Sequence, residues 1–178
     1  MYRSKMVIIE GPDGAGKSTL GYDLASRTGW SFIHTGGPLA SREEFLTRAR
    51  EKGLLMRNRP VIFDRSPYIS EPVYASITGR DSYVSPLELE VMLKHLKPIV
   101  VYCCLESSAE MVDRMLLIPK PHKPPDWADK VRKDHPRIMK RYEEVLAPYV
   151  DQPWFIRFNW HHNQVGEVAE KIFFLTGS

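Results

Sequence analysis

The sequence predicts an α/β domain, a five-stranded parallel sheet covered by helices on both faces. Three observations carry this. Short apolar runs at Met6–Glu10, Trp30–His34, Val61–Phe63, Ile99–Leu105 and Trp154–Phe158 have the length and β-branched or aromatic content of buried strands. Helical segments lie among them, at Lys17–Thr28, Ser41–Lys52, Ser66–Ile77, Pro86–Leu96, Ser107–Leu116, Asp134–Tyr149 and Gln164–Leu175. Strands alternating with helices build parallel sheets, whose crossovers cover both faces. Finally, a glycine-rich loop joins the first strand to the first helix.

Each element has a local reason. Leu20 and Leu24 lie four apart and give the first helix an apolar stripe. Ser85-Pro86, with Glu88 three residues after Ser85, is a capping box with proline at the first helical position. Ser107 and Glu110 repeat the spacing, and Asp134 followed by Pro136 predicts the start of the long sixth helix. The segment 118–126 holds four prolines, two lysines and a histidine, which forbids a helix interior or central strand. It reads as an exposed basic loop: either a lid, about residues 116–127, or a proline-stiffened connection.

Composition bounds the rest. The 178 residues suffice for one domain with a sizeable core, so residues 1–178 are read as a single unit. A net charge of +3 suits anionic substrates but is too small to predict a nucleic-acid binder. Adjacent Cys103 and Cys104 cannot ordinarily bridge each other and read as reduced core residues. No apolar stretch approaches the roughly 20 residues of a membrane span. The first residues lead straight into a strand with no signal-peptide pattern, so a cytoplasmic location is expected.

Residues 11–19, Gly-Pro-Asp-Gly-Ala-Gly-Lys-Ser-Thr, satisfy the P-loop pattern between strand and helix. Phosphate oxygens need backbone N–H donors at close range. Gly11, Gly14 and Gly16 permit that approach, and the helix starting near Lys17 adds its unpaired N–H groups and dipole. Gly11, Asp13, Gly14, Ala15, Gly16, Lys17, Ser18 and Thr19 are therefore expected to hold ATP, with Lys17 on the β/γ-phosphates and Ser18 on Mg²⁺. The motif implies the three-layer P-loop NTPase fold, with strand order 2-3-1-4-5.

At Ile9–Thr19 the chain resembles thymidylate kinases and related deoxynucleoside kinases, through the acidic Glu10 before the loop and Asp13-Gly14 within it. Phe63-Asp64-Arg65-Ser66 looks like the Asp-Arg element of thymidylate kinases, with Ser70 and Tyr74 spaced as in that family. The chain departs from the family's Glu-Pro-Gly-Gly element, reading His34-Thr35-Gly36-Gly37-Pro38, and its lid offers Lys120, His122 and Lys123 rather than arginines. The resemblance implies transfer of the γ-phosphoryl group of ATP to a deoxynucleoside monophosphate such as dTMP, with a homodimer as partner arrangement.

Phosphoryl transfer needs positioning and charge neutralisation. The catalytic set is read as Lys17, Asp64, Arg65 and Arg114. Asp64 either takes a Mg²⁺-bound water or orients the acceptor. Arg65, whose fork matches phosphate oxygens, contacts the acceptor phosphate or transferred group. Arg114 either stabilises transition-state charge or satisfies its own helix C-terminus. The resemblance places Asp13 on the acceptor sugar hydroxyl; a turn-forming role stays open. Tyr74 and Tyr68 either flank a base or fill the core, with Tyr74 favoured for the site, and Phe45 either stacks on the base or packs inside. Glu10 either orders metal waters or caps the loop. Arg137 and Arg141 either line the lid or pair with Asp134, Glu143 and Glu144. His161-His162 reads as a polar cap rather than a metal site. Competing functions are a deoxynucleoside kinase, a P-loop kinase acting on a modified base or end in DNA, and a regulatory nucleotide switch.

Overall fold

The computed structural model describes residues 5–35, 37, 39–55, 59–117 and 124–177. Its strands are β1 (Met6–Glu10), β2 (Ser31–His34), β3 (Val61–Asp64), β4 (Ile99–Cys103) and β5 (Phe155–Phe158). Its helices are α1 (Lys17–Thr28), α2 (Arg42–Leu55), α3 (Pro67–Thr78), α4 (Pro86–Leu96), α5 (Ser108–Leu116), α6 (Trp127–Leu146) and α7 (Val165–Thr176). The sheet is wholly parallel in the order β2-β3-β1-β4-β5, the P-loop NTPase arrangement.

The period-two alternation of β1 sorts the core into two layers. Val7 and Ile9 pack with Leu20 and Leu24 of α1 and Val168, Ala169 and Ile172 of α7. Met6 and Ile8 pack on the other face with Ile69 and Val73 of α3, Leu89 and Met92 of α4, and Tyr142 of α6. Each fully buried aliphatic side chain contributes about 1.5–3 kcal/mol relative to exposure. Register then sets the functional edge. Ile9 and His34 both pair with Asp64, and Glu10 pairs with Tyr102. Glu10, His34 and Asp64 therefore finish their strands together at the carboxyl edge, where open α/β sheets place ligands.

The expected capping boxes form at Ser85–Glu88, and Ser107 accepts the Glu110 amide. The sixth helix corrects the reading: it begins at Trp127, and Asp134 and Pro136 lie inside it. Pro136 removes one N–H, yet His135, Tyr142 and Leu146 bury the helix against α3 and α5, and that packing outweighs the missing bond. Asp134 pairs with Arg137 at 3.1 Å instead of capping. A short 3₁₀ turn, Ala147–Tyr149, replaces the predicted last turn of the helix. The lid cations Lys120, His122 and Lys123 lie outside the described residues. Cys103 and Cys104 are both free and buried, as expected. No described helix is long and apolar enough to cross a membrane.

Candidate phosphate and acceptor site

The loop between β1 and α1 is shaped by its glycines in a way the motif alone did not reveal. Gly11 has φ 138° and Gly16 φ 82°. A Cβ on Gly11 would meet the Cys103 carbonyl oxygen at 2.0 Å, and one on Gly16 would meet Trp160 Nε1 at 2.3 Å. These glycines are demanded by the protein's own packing. Trp160 Nε1 donates to the Ala15 carbonyl at 3.0 Å and Cys103 Sγ lies 2.8 Å from the same oxygen, so β4 and the segment after β5 brace the loop from below.

Two adjoining cavities open at this edge. The larger, about 750 Å³, is lined by Gly14, Gly16, Lys17, Ser18, Thr19 and Arg114 among others. The smaller, about 150 Å³, is lined by Leu39, Arg48, Pro67, Ser70, Glu71 and Tyr74. Asp13, Thr35 and Arg65 line both. Arg65 stands at the junction. Its Nη2 donates to Asp13 Oδ1 at 2.5 Å and to the Tyr74 hydroxyl at 2.9 Å. The Tyr74 ring lies 5.3 Å beneath the guanidinium.

Charge at the junction is balanced by Asp13. Its carboxylate also lies 3.7 Å from Lys17 Nζ. Desolvation works against the anion, but Arg65 and Lys17 outweigh it and hold the Asp13 carboxyl below its usual range. Lys17 is folded onto the loop, donating to the Pro12 carbonyl at 2.7 Å, and burial pushes its ammonium down to about 8, with the Arg65 charge acting the same way. Both cations that would grip phosphate oxygens thus already have anionic or carbonyl partners, which a phosphate can replace.

Ser18 and Asp64 come together as expected, with Ser18 Oγ 3.4 Å from Asp64 Oδ2. The other oxygen, Asp64 Oδ1, is buried without a protein partner. One hydroxyl and one carboxylate, with one of its two oxygens buried and unmatched, fit Mg²⁺, which keeps several waters and binds through one or two carboxylates plus phosphates. His34, absent from the expected site, holds this carboxylate in place: its Nδ1 lies 2.8 Å from Asp64 Oδ2. Thr35 adds a bond from its hydroxyl to the Asp64 carbonyl at 2.6 Å.

Glu10 does not bond to the phosphate loop; it ties the β3–α3 turn to α6. It is fully buried, accepts the Ser66 amide at 2.5 Å and the Ser70 hydroxyl at 3.0 Å, and takes the Tyr142 hydroxyl at 3.2 Å. Burial raises its carboxyl above the ordinary value, only partly offset by the Ser66 amide and Arg65. Phe45 is 1% exposed, edge-on to Tyr68 in a satellite cluster with Leu39 and Val84, and lines neither cavity. Arg114 lines the larger cavity while paired with Glu110 at 2.8 Å. Arg141 pairs with Glu144, and His161 and His162 pair with Glu110 and Glu106.

Three further residues escaped the sequence reading. His135, 2% exposed on α6, donates from Nε2 to the Asp13 carbonyl at 2.8 Å, which leaves Nδ1 to accept the Ser108 hydroxyl at 2.9 Å. Arg48 lines the smaller cavity and donates to the Gly37 carbonyl at 2.6 Å. Lys52 donates to the Arg65 carbonyl at 2.9 Å. Only His34 had a usable signal, as a polar residue closing a strand at the carboxyl edge.

No protein-family model and no curated protein matches the chain. Solved structures share its fold. The YorR protein of Bacillus subtilis, in complex with phosphorylated GDP, aligns with a TM-score of 0.72 at 21% identity, over 97% of this chain and 95% of that one. A deoxyadenosine kinase from M. mycoides, with products dCMP and a flexible dCDP bound, gives 0.57 at 15% identity over 94% and 96% of the two chains. A gluconokinase from Sinorhizobium meliloti 1021 gives 0.55 at 13% identity over 99% and 92%. At these identities the likeness is one of fold.

Proposed function

We propose that this protein transfers the γ-phosphoryl group of ATP to a deoxynucleoside monophosphate, a pyrimidine nucleotide such as dTMP. The observation that carries the reading is the pair of adjoining cavities sharing Asp13, Thr35 and Arg65. One is built from the P-loop and suits a triphosphate. The other, about 150 Å³, sets Leu39, Pro67 and Tyr74 beside Arg48 and Ser70, and its small size favours a single-ring base. The fold shared with a deoxyadenosine kinase and with a protein that binds phosphorylated GDP supports it.

The choice of a monophosphate over a free nucleoside follows from charge. An unphosphorylated sugar needs a carboxylate free to take a proton from the hydroxyl. Glu10 is enclosed by Ser66, Ser70 and Tyr142, and Asp64 is held by His34. A monophosphate needs cations: Arg65 stands at the junction, with Lys17 lining the larger cavity and Arg48 the smaller. On this reading Lys17 and the loop amides hold the donor, Arg65 leaves Asp13 for the acceptor phosphate, and Asp13 is released to a sugar hydroxyl. Ser18 and Asp64 would hold Mg²⁺, which would supply charge neutralisation on the donor phosphates. Arg114 leaves Glu110 to meet charge developing on the transferred group. Residues 116–127 act as the lid, and the whole chain as one kinase domain.

The test is a panel: Mg-ATP with each nucleoside and each monophosphate separately, scoring phosphorylated product. Diphosphate formed from a pyrimidine deoxynucleoside monophosphate supports the proposal. Product only from unphosphorylated nucleosides, or steady ATP hydrolysis indifferent to every acceptor, rejects it.

A further inference from the structure

Arg65 is strained. Its φ of 71° lies in the left-handed region, which is unfavourable for a non-glycine residue. Such a conformation persists only where its surroundings over-determine it. The turn between β3 and α3 is held on every side. The Arg65 amide donates to the Ile9 carbonyl at 2.9 Å, and the next amide, of Ser66, donates to Glu10. The Arg65 carbonyl, which the twist turns toward α2, accepts the Lys52 ammonium at 2.9 Å and the Thr35 hydroxyl at 3.2 Å. Lys52 reaches there by lying over the Phe63 ring, its nitrogen 5.1 Å from the centroid. Burial pushes this ammonium down to about 7 although Glu10 and Asp64 pull the other way. A solvated lysine on the open face of α2 would keep its ordinary value.

We propose that Lys52 is a positioning residue: from α2 it clamps the Arg65 carbonyl and so keeps the guanidinium at the junction of the two cavities. The clamp works through backbone geometry. If the carbonyl swings back, φ relaxes and the side chain that leaves the same Cα loses its aim at Asp13 and Tyr74. Because α2 also carries Arg48 into the smaller cavity, one helix sets both cations on the acceptor side. The proposal rests on the acceptor-side reading of Arg65 given above.

The test uses chemical rescue. Lys52→Cys removes the ammonium, and alkylation with 2-bromoethylamine returns one at nearly the same reach. The two native cysteines are buried, and burial raises both thiols, Cys103 to about 12, so they react poorly; the alkylated natural protein is the control. Lys52→Cys should lower acceptor kcat/KM about tenfold, with ATP KM within about twofold of the natural value, and alkylation should recover most of the loss. Lys52→Met should match the unalkylated variant while still unfolding in one cooperative thermal transition. Alkylated Lys94→Cys, on the exposed face of α4, should be indistinguishable from the natural protein. Full acceptor kcat/KM in Lys52→Met, or no recovery on alkylation, overturns the clamp. If the natural protein phosphorylates no nucleotide, the functional reading fails by itself. A crystal structure of Lys52→Met then decides the clamp alone: Arg65 out of the left-handed region upholds it, and an unchanged Arg65 refutes it.

Discussion

Replacing Arg65 by Lys isolates the fork from the charge. In the structure Arg65 Nη2 serves Asp13 at 2.5 Å, Tyr74 at 2.9 Å and the Gly11 carbonyl at 3.4 Å, with the side chain 21% exposed. A lysine keeps the positive charge and the same backbone strain, but its single nitrogen cannot present two parallel N–H groups to a phosphate. A hydrogen bond to a charged group is worth about 1.5–3 kcal/mol, so losing one in the transition state predicts a roughly 10- to 150-fold fall in acceptor kcat/KM. Donor binding should change by less than about twofold, since Lys17 and the loop amides, not Arg65, carry the P-loop contacts. The assay is initial-rate kinetics with the acceptor varied at saturating Mg-ATP and then the reverse, with calorimetric titration of a non-hydrolysable ATP analogue. An equal loss on both sides, or no loss at all, would refute the acceptor-side role.

Three more outcomes follow from the same geometry. His135→Ala leaves the Asp13 carbonyl and the Ser108 hydroxyl without their shared partner in a dry site. It should destabilise the fold by about 2 kcal/mol and lower the thermal midpoint by about 4–8 °C, read by calorimetry. Trp160→Phe keeps an aromatic ring, smaller than the indole, and loses the donor to Ala15; ATP affinity should weaken about threefold to tenfold by titration, with acceptor KM little changed. Stability should also rise with pH between about 7 and 9. Lys52 and Lys17 are pushed down to about 7 and about 8, whereas both titrate near 10.4 in the unfolded chain. In that window the unfolded state binds more protons, so unfolding grows less favourable as pH rises, until unfolded thiols titrate above about 9. Urea midpoints at pH 7, 8 and 9 measure it, and Lys52→Met should show a shallower rise.

The sheet and the loop were legible because their signals are local. Apolar β-branched runs such as Met6–Ile9 and Ile99–Val101 mark buried parallel strands wherever they stand, and the P-loop spacing is a contiguous backbone requirement. Caps at Ser85 and Ser107 are equally local. The start of α6 was not legible: Asp134-Pro136 is a good local start signal, and only the packing of His135, Tyr142 and Leu146 against α3 and α5 overrides it. The site divides the same way. Lys17 and Ser18 could be named from the P-loop motif, and Asp64, Arg65 and Tyr74 only through the resemblance to thymidylate kinases. His34, Lys52, His135 and Trp160 act through single contacts to residues 30 or more positions away, or, for Lys52, 13 positions away across a helix and a strand. No periodicity encodes such pairs. Phe45 shows the converse, a residue whose aromatic character suited a ligand and whose burial assigns it to the core.

The central claim is that two cavities meeting at Asp13 and Arg65 serve one transfer reaction. Its most direct measurement follows label from γ-³²P-ATP in the presence of Mg²⁺ and dTMP, for the natural protein and for Lys17→Ala. The account predicts labelled dTDP from the natural protein, at a rate that saturates with both substrates, and almost none from Lys17→Ala. Label appearing only as inorganic phosphate whatever the acceptor, or undiminished transfer by Lys17→Ala, would contradict it.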